Sequence, residues 1–134
     1  VEVWERLPEL VRLALDEVVA GSGAQVHIDY THGVPPLVND AGVIEIVRRA
    51  AEQVAGPDAV GEAVQSWGGD DFAWFARERP SGYIRLGVHD PDDDGPRLDL
   101  HAGHFDVDER VIEVGVRLMV ATVQEYFAAA GSGA

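Results

Sequence analysis

Apolar residues recur every three or four positions at the start of the chain. Val3, Leu7, Leu10, Val11, Ala14, Val18 and Val19 fall on one stripe, and Glu2, Glu5, Arg6, Glu9, Arg12 and Asp16 fall largely opposite. This spacing predicts an amphipathic helix over 3–20. Pro8 lies inside the pattern, which puts the expected first turn near Leu7, where proline is tolerated. Gly21-Ser22-Gly23 ends it. The period then changes to two: Val26, Ile28 and Tyr30 alternate with His27, Asp29 and Thr31, which predicts a half-exposed strand. His32-Gly33-Val34-Pro35-Pro36 cannot continue a sheet and predicts a linker, with the domain boundary at His32–Val38. Asn39 or Asp40 caps a second helix with Val43, Ile44, Val47, Ala50, Ala51 and Val54 inward, and Gly56-Pro57 stops it. Short strands are expected at 60–64, 83–88 and 98–100, with a short helix from Asp71 to Glu78 between the first two. A final helix runs from about Asp108 to Phe127. Its apolar stripe is so broad that packing on more than one side is expected. The tail, 128–134, is small and Gly-rich and predicts fraying.

Period-2 and period-3.6 segments alternate after the linker, which predicts an α/β fold. One helix and one strand precede it, too little to bury two faces. Two regions are therefore expected, 1–34 and 39–134.

Composition narrows the function. The chain has 134 residues, 46% of them hydrophobic, in keeping with one globular domain. The formal net charge is −14, which argues against nucleic acid and against an anionic membrane surface. No run of roughly 18 apolar residues occurs, so no membrane span is expected. There is no cysteine, hence no disulfide and no thiolate chemistry. A cytoplasmic protein is the expectation. The first residue is Val, which suits a piece of a longer protein.

Three loops could carry chemistry. Gly68-Gly69-Asp70-Asp71-Phe72 opens the short helix, and its glycines permit close backbone approach. Asp70 or Asp71 could equally cap the helix. Leu100-His101-Ala102-Gly103-His104-Phe105-Asp106-Val107-Asp108-Glu109 runs into the last helix and offers an imidazole, the commonest metal ligand. His104 is read as a bystander. Asp90-x-Asp92-x-Asp94-Gly95 opens like a calcium loop, but Arg97 and His101 occupy the positions that need an apolar residue and a bidentate Glu. A solvated acidic turn is expected there.

The Gly-Gly-Asp-Asp-Phe and Leu-His-x-x-x-Phe-Asp-x-Asp-Glu runs, in this order, resemble the C-terminal signature of the metal-dependent amidohydrolases and peptidases that include aminoacylase, carboxypeptidase G, hippurate hydrolase and indoleacetyl-amino-acid hydrolase. The likeness departs at Asp70, where relatives have Glu, and at Ala102-Gly103, where they have Ser or Thr and then Pro. It implies that 39–134 is the C-terminal half of a catalytic α/β domain. It implies that 1–34 is the helix-strand remnant of an inserted α+β lid, through which the family forms homodimers. His27 and His32 do not match the lid's cross-subunit histidine and are taken as surface residues. His101 would be the last ligand of a centre of two zinc or manganese ions, and Gly68, Gly69, Asp70 and Asp71 would border the substrate. The parent would hydrolyse the amide of an N-acyl amino acid, peptide or similar small molecule through metal-activated water. The remaining ligands are not in this chain, which by itself is expected to be inactive. The rival reading is a non-catalytic acidic α/β interaction module.

Overall fold

The computed structural model describes residues 2–131. Four α-helices form: α1 at Glu2–Val19, α2 at Ala41–Ala55, α3 at Phe72–Glu78 and α4 at Arg110–Gly131, with one 3-10 turn at Pro57–Ala59. The periodicities placed all four to within a few residues. α4 continues through 128–131, where fraying was expected; residues 132–134 lie outside the described residues.

The α/β expectation is overturned. Among the described residues there is no strand and no sheet, and 25–31, 60–64, 83–88 and 98–100 are irregular. Alternation reports a surface with two unlike sides. A strand also needs a neighbouring backbone to take its N–H and C=O groups. Other groups take that place in part. The Asn39 amide donates to the Tyr83 carbonyl (3.0 Å) and accepts from the Tyr83 N–H (2.7 Å), as a strand neighbour would. The Asp108 N–H donates to the Val88 carbonyl at 2.9 Å.

The described chain divides into two compact units, one ending at Val38 and including Ser66–Pro80, the other comprising Asn39–Gln65 and the chain from Ser81. In the first, Pro8 lies inside α1 instead of at its start. Proline has no N–H, so the carbonyl of Trp4, four residues back, loses its helical donor. The ring of His32 supplies it: Nε2 lies 2.8 Å from the Trp4 oxygen, and the imidazole stacks on the Trp4 indole with centroids 3.7 Å apart. Trp74 of α3 meets the Trp4 ring edge-on at 6.1 Å, and the Arg77 guanidinium lies 5.3 Å from the Trp4 centroid and 3.6 Å from Glu5. Pro35 and Ala73 are the buried residues of this unit.

In the second unit, Asp40 caps α2 by accepting from the Val43 N–H at 2.9 Å, and Gly56 ends the helix with a φ of 86°. α2 packs on α4 through Ala50, Leu118 and Ala121, flanked by Ala51 and Val54. The small side chains let the axes come close. At the margin Glu125 accepts from Arg49 (3.1 Å) and from Gln53 (2.8 Å). Residues 83–88 approach α4 at Gly115, where an added Cβ would meet Leu86 at 3.3 Å.

Candidate functional site

Gly68–Asp71 is an exposed turn whose polar groups hold each other. The Gly68 N–H donates to Ser66 Oγ at 3.1 Å. Asp70 Oδ1 accepts from the Phe72 N–H at 2.8 Å, and the Asp70 and Asp71 carbonyls accept from Ala73 and Trp74 (3.0 and 3.1 Å). Asp70 thus takes up the first N–H of α3 from the residue before the N-cap, while Asp71, at the N-cap itself, makes no side-chain cap hydrogen bond. Gly69 has a separate cause: a Cβ there would overlap Cγ2 of Val34. Trp67 is 94% exposed and is not core.

His101 sits at the tip of a double turn and is exposed. Asp99 builds the first turn: its Oδ1 accepts from the His101 N–H (2.8 Å) and its carbonyl from the Ala102 N–H (2.9 Å). Ala102 begins the second, accepting from the Phe105 N–H at 3.0 Å. The imidazole is thereby held on a short, locally bonded loop that faces solvent. His104 is exposed beside it.

The loop ends at an ion cluster that the sequence did not reveal. Asp108 starts α4, accepting from the Arg110 N–H at 2.9 Å. The Arg110 guanidinium grips the Asp108 carboxylate at 2.7 and 2.9 Å and reaches Asp90 at 2.7 Å. Hydrogen bonding from the Arg110 side chain, then from its backbone N–H, holds the Asp108 carboxyl below its ordinary value of 3.8. In return the Asp108 carboxylate, and after it Asp90, push the Arg110 guanidinium further up. The only available signal was an acid two residues before an arginine at a helix start.

The acidic run closes on itself. Asp92, Asp93 and Asp94 are exposed, as expected. Asp90 accepts from the Asp92 N–H (3.0 Å), Asp93 accepts from the Gly95 N–H (2.8 Å), and the His89 ring meets the Asp93 carbonyl at 3.1 Å. Between this loop and the start of α4 lies an open depression of about 380 Å³ lined by Val88, His89, Asp93, Phe105 and Asp108 among others; His101 is not in its wall.

Among the described residues no three His, Asp or Glu side chains come together as metal ligands. The candidate residues also fall in different units, Gly68–Asp71 in the first and His101 in the second. No helix among the described residues is long and apolar enough to cross a membrane.

Comparison with known proteins supplies the context. The chain is 42% identical over 120 residues to a Rhodococcus jostii protein named "Putative glutamate--cysteine ligase 2-3", covering 90% of this chain and 15% of that protein. It is 28% identical to a Synechocystis protein named "Probable hydrolase sll0100", covering 94% of this chain and 32% of the relative. It is 27% identical to the N-acetylcysteine deacetylase of Bacillus subtilis, covering 84% and 28%. The chain therefore spans less than a third of the length of each. No solved structure matches it. The model of peptidase family M20/M25/M40 matches residues 5–125, nearly the whole chain, and the resemblance carried by the Gly68–Phe72 and Leu100–Glu109 runs agrees with it: the chain belongs to this family of hydrolases.

Proposed function

We propose that this chain is the C-terminal part of a metal-dependent amidohydrolase that cleaves the amide bond of N-acyl amino acids. The observation that carries the reading is the family match over 5–125 in a chain that spans under a third of its relatives, one of them a deacetylase of an N-acyl amino acid. In this reading His101 provides one ligand to a zinc or manganese centre, and Gly68–Asp71 borders the substrate. The local structure suits a ligand: the His101 ring is exposed, and its backbone is fixed by Asp99. A two-ion centre does not fit the groups of this chain alone, because one imidazole without two further converging donors holds no such ion.

The test is to express the complete reading frame containing this segment and assay release of amino acid from N-acetylcysteine and other N-acyl amino acids with added zinc or manganese. Turnover is expected. His101→Ala should lower it by more than the roughly 10–100-fold typical of groups that only support a ligand. Undiminished turnover in His101→Ala would refute the ligand role, and absence of turnover on every N-acyl amino acid would refute the activity. The 134-residue chain by itself should be silent in the same assay.

A second reading has one observation in its favour. In the Rhodococcus relative, the matching segment is 15% of a protein named as a ligase. A non-catalytic module appended to another enzyme would suit that arrangement, and it too predicts a silent chain. The complete reading frame separates the two.

A further inference from the structure

His101 is carried by a loop, 89–107, whose two ends meet at the start of α4. At the mouth of the loop the Asp108 N–H donates to the Val88 carbonyl at 2.9 Å. The Arg110 guanidinium closes the mouth a second time. It donates to Asp90 on one side (2.7 Å) and to the Asp108 carboxylate on the other (2.7 and 2.9 Å). We propose that Arg110 is a positioning residue for His101: by clamping the loop shut it fixes where the imidazole is presented. This inference rests on the hydrolase reading above, in which that imidazole is used, and adds to it the residue that places it.

The clamp has a fixed base. The Asp108 carbonyl accepts from the Val111 N–H at 3.0 Å and its carboxylate from the Arg110 N–H at 2.9 Å, so the grip is rooted in the start of α4. The Asp108 side chain is only 16% exposed. Both limbs of the loop are stiffened from the clamp outward. On the first, the clamped Asp90 accepts from the Asp92 N–H, and the His89 ring meets the Asp93 carbonyl. On the second, Asp99 sets the turn at His101, and Ala102 sets the turn to Phe105. These bonds join near neighbours. They give each limb its shape but do not decide where it goes. The bond from Arg110 to Asp90 spans 20 residues and joins one limb to the base of the other. The two limbs share the open depression of about 380 Å³, which Val88 and Asp93 line from one side of the loop and Phe105 from the other. An exposed ion pair by itself does little. Here a planar guanidinium reaches two carboxylates at once, a geometry that suits Arg better than Lys. A backbone bond acts at the same mouth, and holding the ends of a loop together restricts everything between them.

The test uses the complete protein with Arg110→Gln, Asp90→Asn and, as a control, Asp94→Asn, which removes a charge from the same loop but not from the clamp. Asp90→Asn leaves the Arg110–Asp108 contact at the start of α4 in place, so it reads the loop closure without disturbing the helix. Amide hydrogen exchange followed by mass spectrometry should quicken across 91–108 by roughly two- to fivefold in Arg110→Gln and in Asp90→Asn, the range that an exposed charged pair commands. Exchange in α2 should stay as it was, and Asp94→Asn should change neither region. With N-acetylcysteine as substrate, kcat should fall by a similar factor in the first two variants while KM holds, because a misplaced ligand costs turnover and leaves substrate binding intact. The double variant should be no slower than Arg110→Gln alone, since both substitutions break one bond. Exchange across 91–108 that ignores Arg110→Gln, an equal loss in Asp94→Asn, or additive losses in the double variant would each overturn the proposal. Turnover that Arg110→Gln leaves intact overturns the positioning role alone. No turnover by the unaltered protein on any N-acyl amino acid overturns the hydrolase reading and this role with it.

Discussion

Single atoms decide several positions in this chain. Pro8 removes one N–H, and His32 restores a donor to the Trp4 carbonyl from 28 residues away. His32→Phe keeps an aromatic ring on Trp4 but takes the donor from that exposed carbonyl, which should cost about 0.5–1.5 kcal/mol of stability in denaturant unfolding. In a Pro8→Ala background the helix supplies its own N–H, so the same substitution should cost markedly less. Equal costs in both backgrounds would show that the His32 bond does not compensate for the proline. Gly69 gives a second contrast. Gly69→Ala drives a methyl into Val34, on a chain already fixed by Pro35, and should destabilise by about 1–3 kcal/mol. At Gly68 the nearest atom is the rotatable Ser66 hydroxyl at 3.3 Å, so Gly68→Ala should be near neutral. Thermal unfolding of the two variants side by side checks this. The two glycines looked alike in sequence, and only the position of Val34 separates them.

At the scale of elements, helices were legible because their start and stop signals are local. Asp40 accepting from Val43, and Gly56 at a positive φ, act within a few residues of the helix they bound. α4 is similar at its start, where Asp108 serves as cap and Arg110 clamps it. The Asp108 carboxyl is depressed in the folded chain, so its contribution to stability is complete above 3.8 and declines as pH falls through the lower folded value. NMR titration should place the Asp108 midpoint below 3.8, and Arg110→Gln should move it back up. A midpoint unchanged by that substitution would discount the clamp. Strands were not legible in the same way. Residues 83–88 alternate well enough, yet among the described residues no strand pairs with them, and a side-chain amide meets Tyr83 where a neighbouring backbone would. Pairing is a property of two segments, and period 2 reports only one.

For the molecule as a whole, charge is the dominant collective property. An excess of 14 acidic residues keeps copies apart at neutral pH, which opposes the uncovered apolar surfaces of α1 and α4. As pH falls toward the isoelectric point near 4.5, that protection disappears, and turbidity and light scattering should rise to a maximum there. Solubility that is flat from neutral pH through 4.5 would mean that repulsion is not what keeps the chain dispersed.

The sequence by itself determined the four helices, the Gly56 stop of α2, the exposed acidic turn and the family. These depend on the spacing of apolar residues, on short-range backbone chemistry and on ordered local motifs, all of which are written along the chain. Tertiary structure decided that the alternating segments are not a sheet, that His32 answers Pro8 and that Arg110 joins Asp90 to Asp108. Each of these depends on whether a partner group arrives in space. The spacing of residues along a chain sets what a segment can offer, and only the folded arrangement sets what meets it.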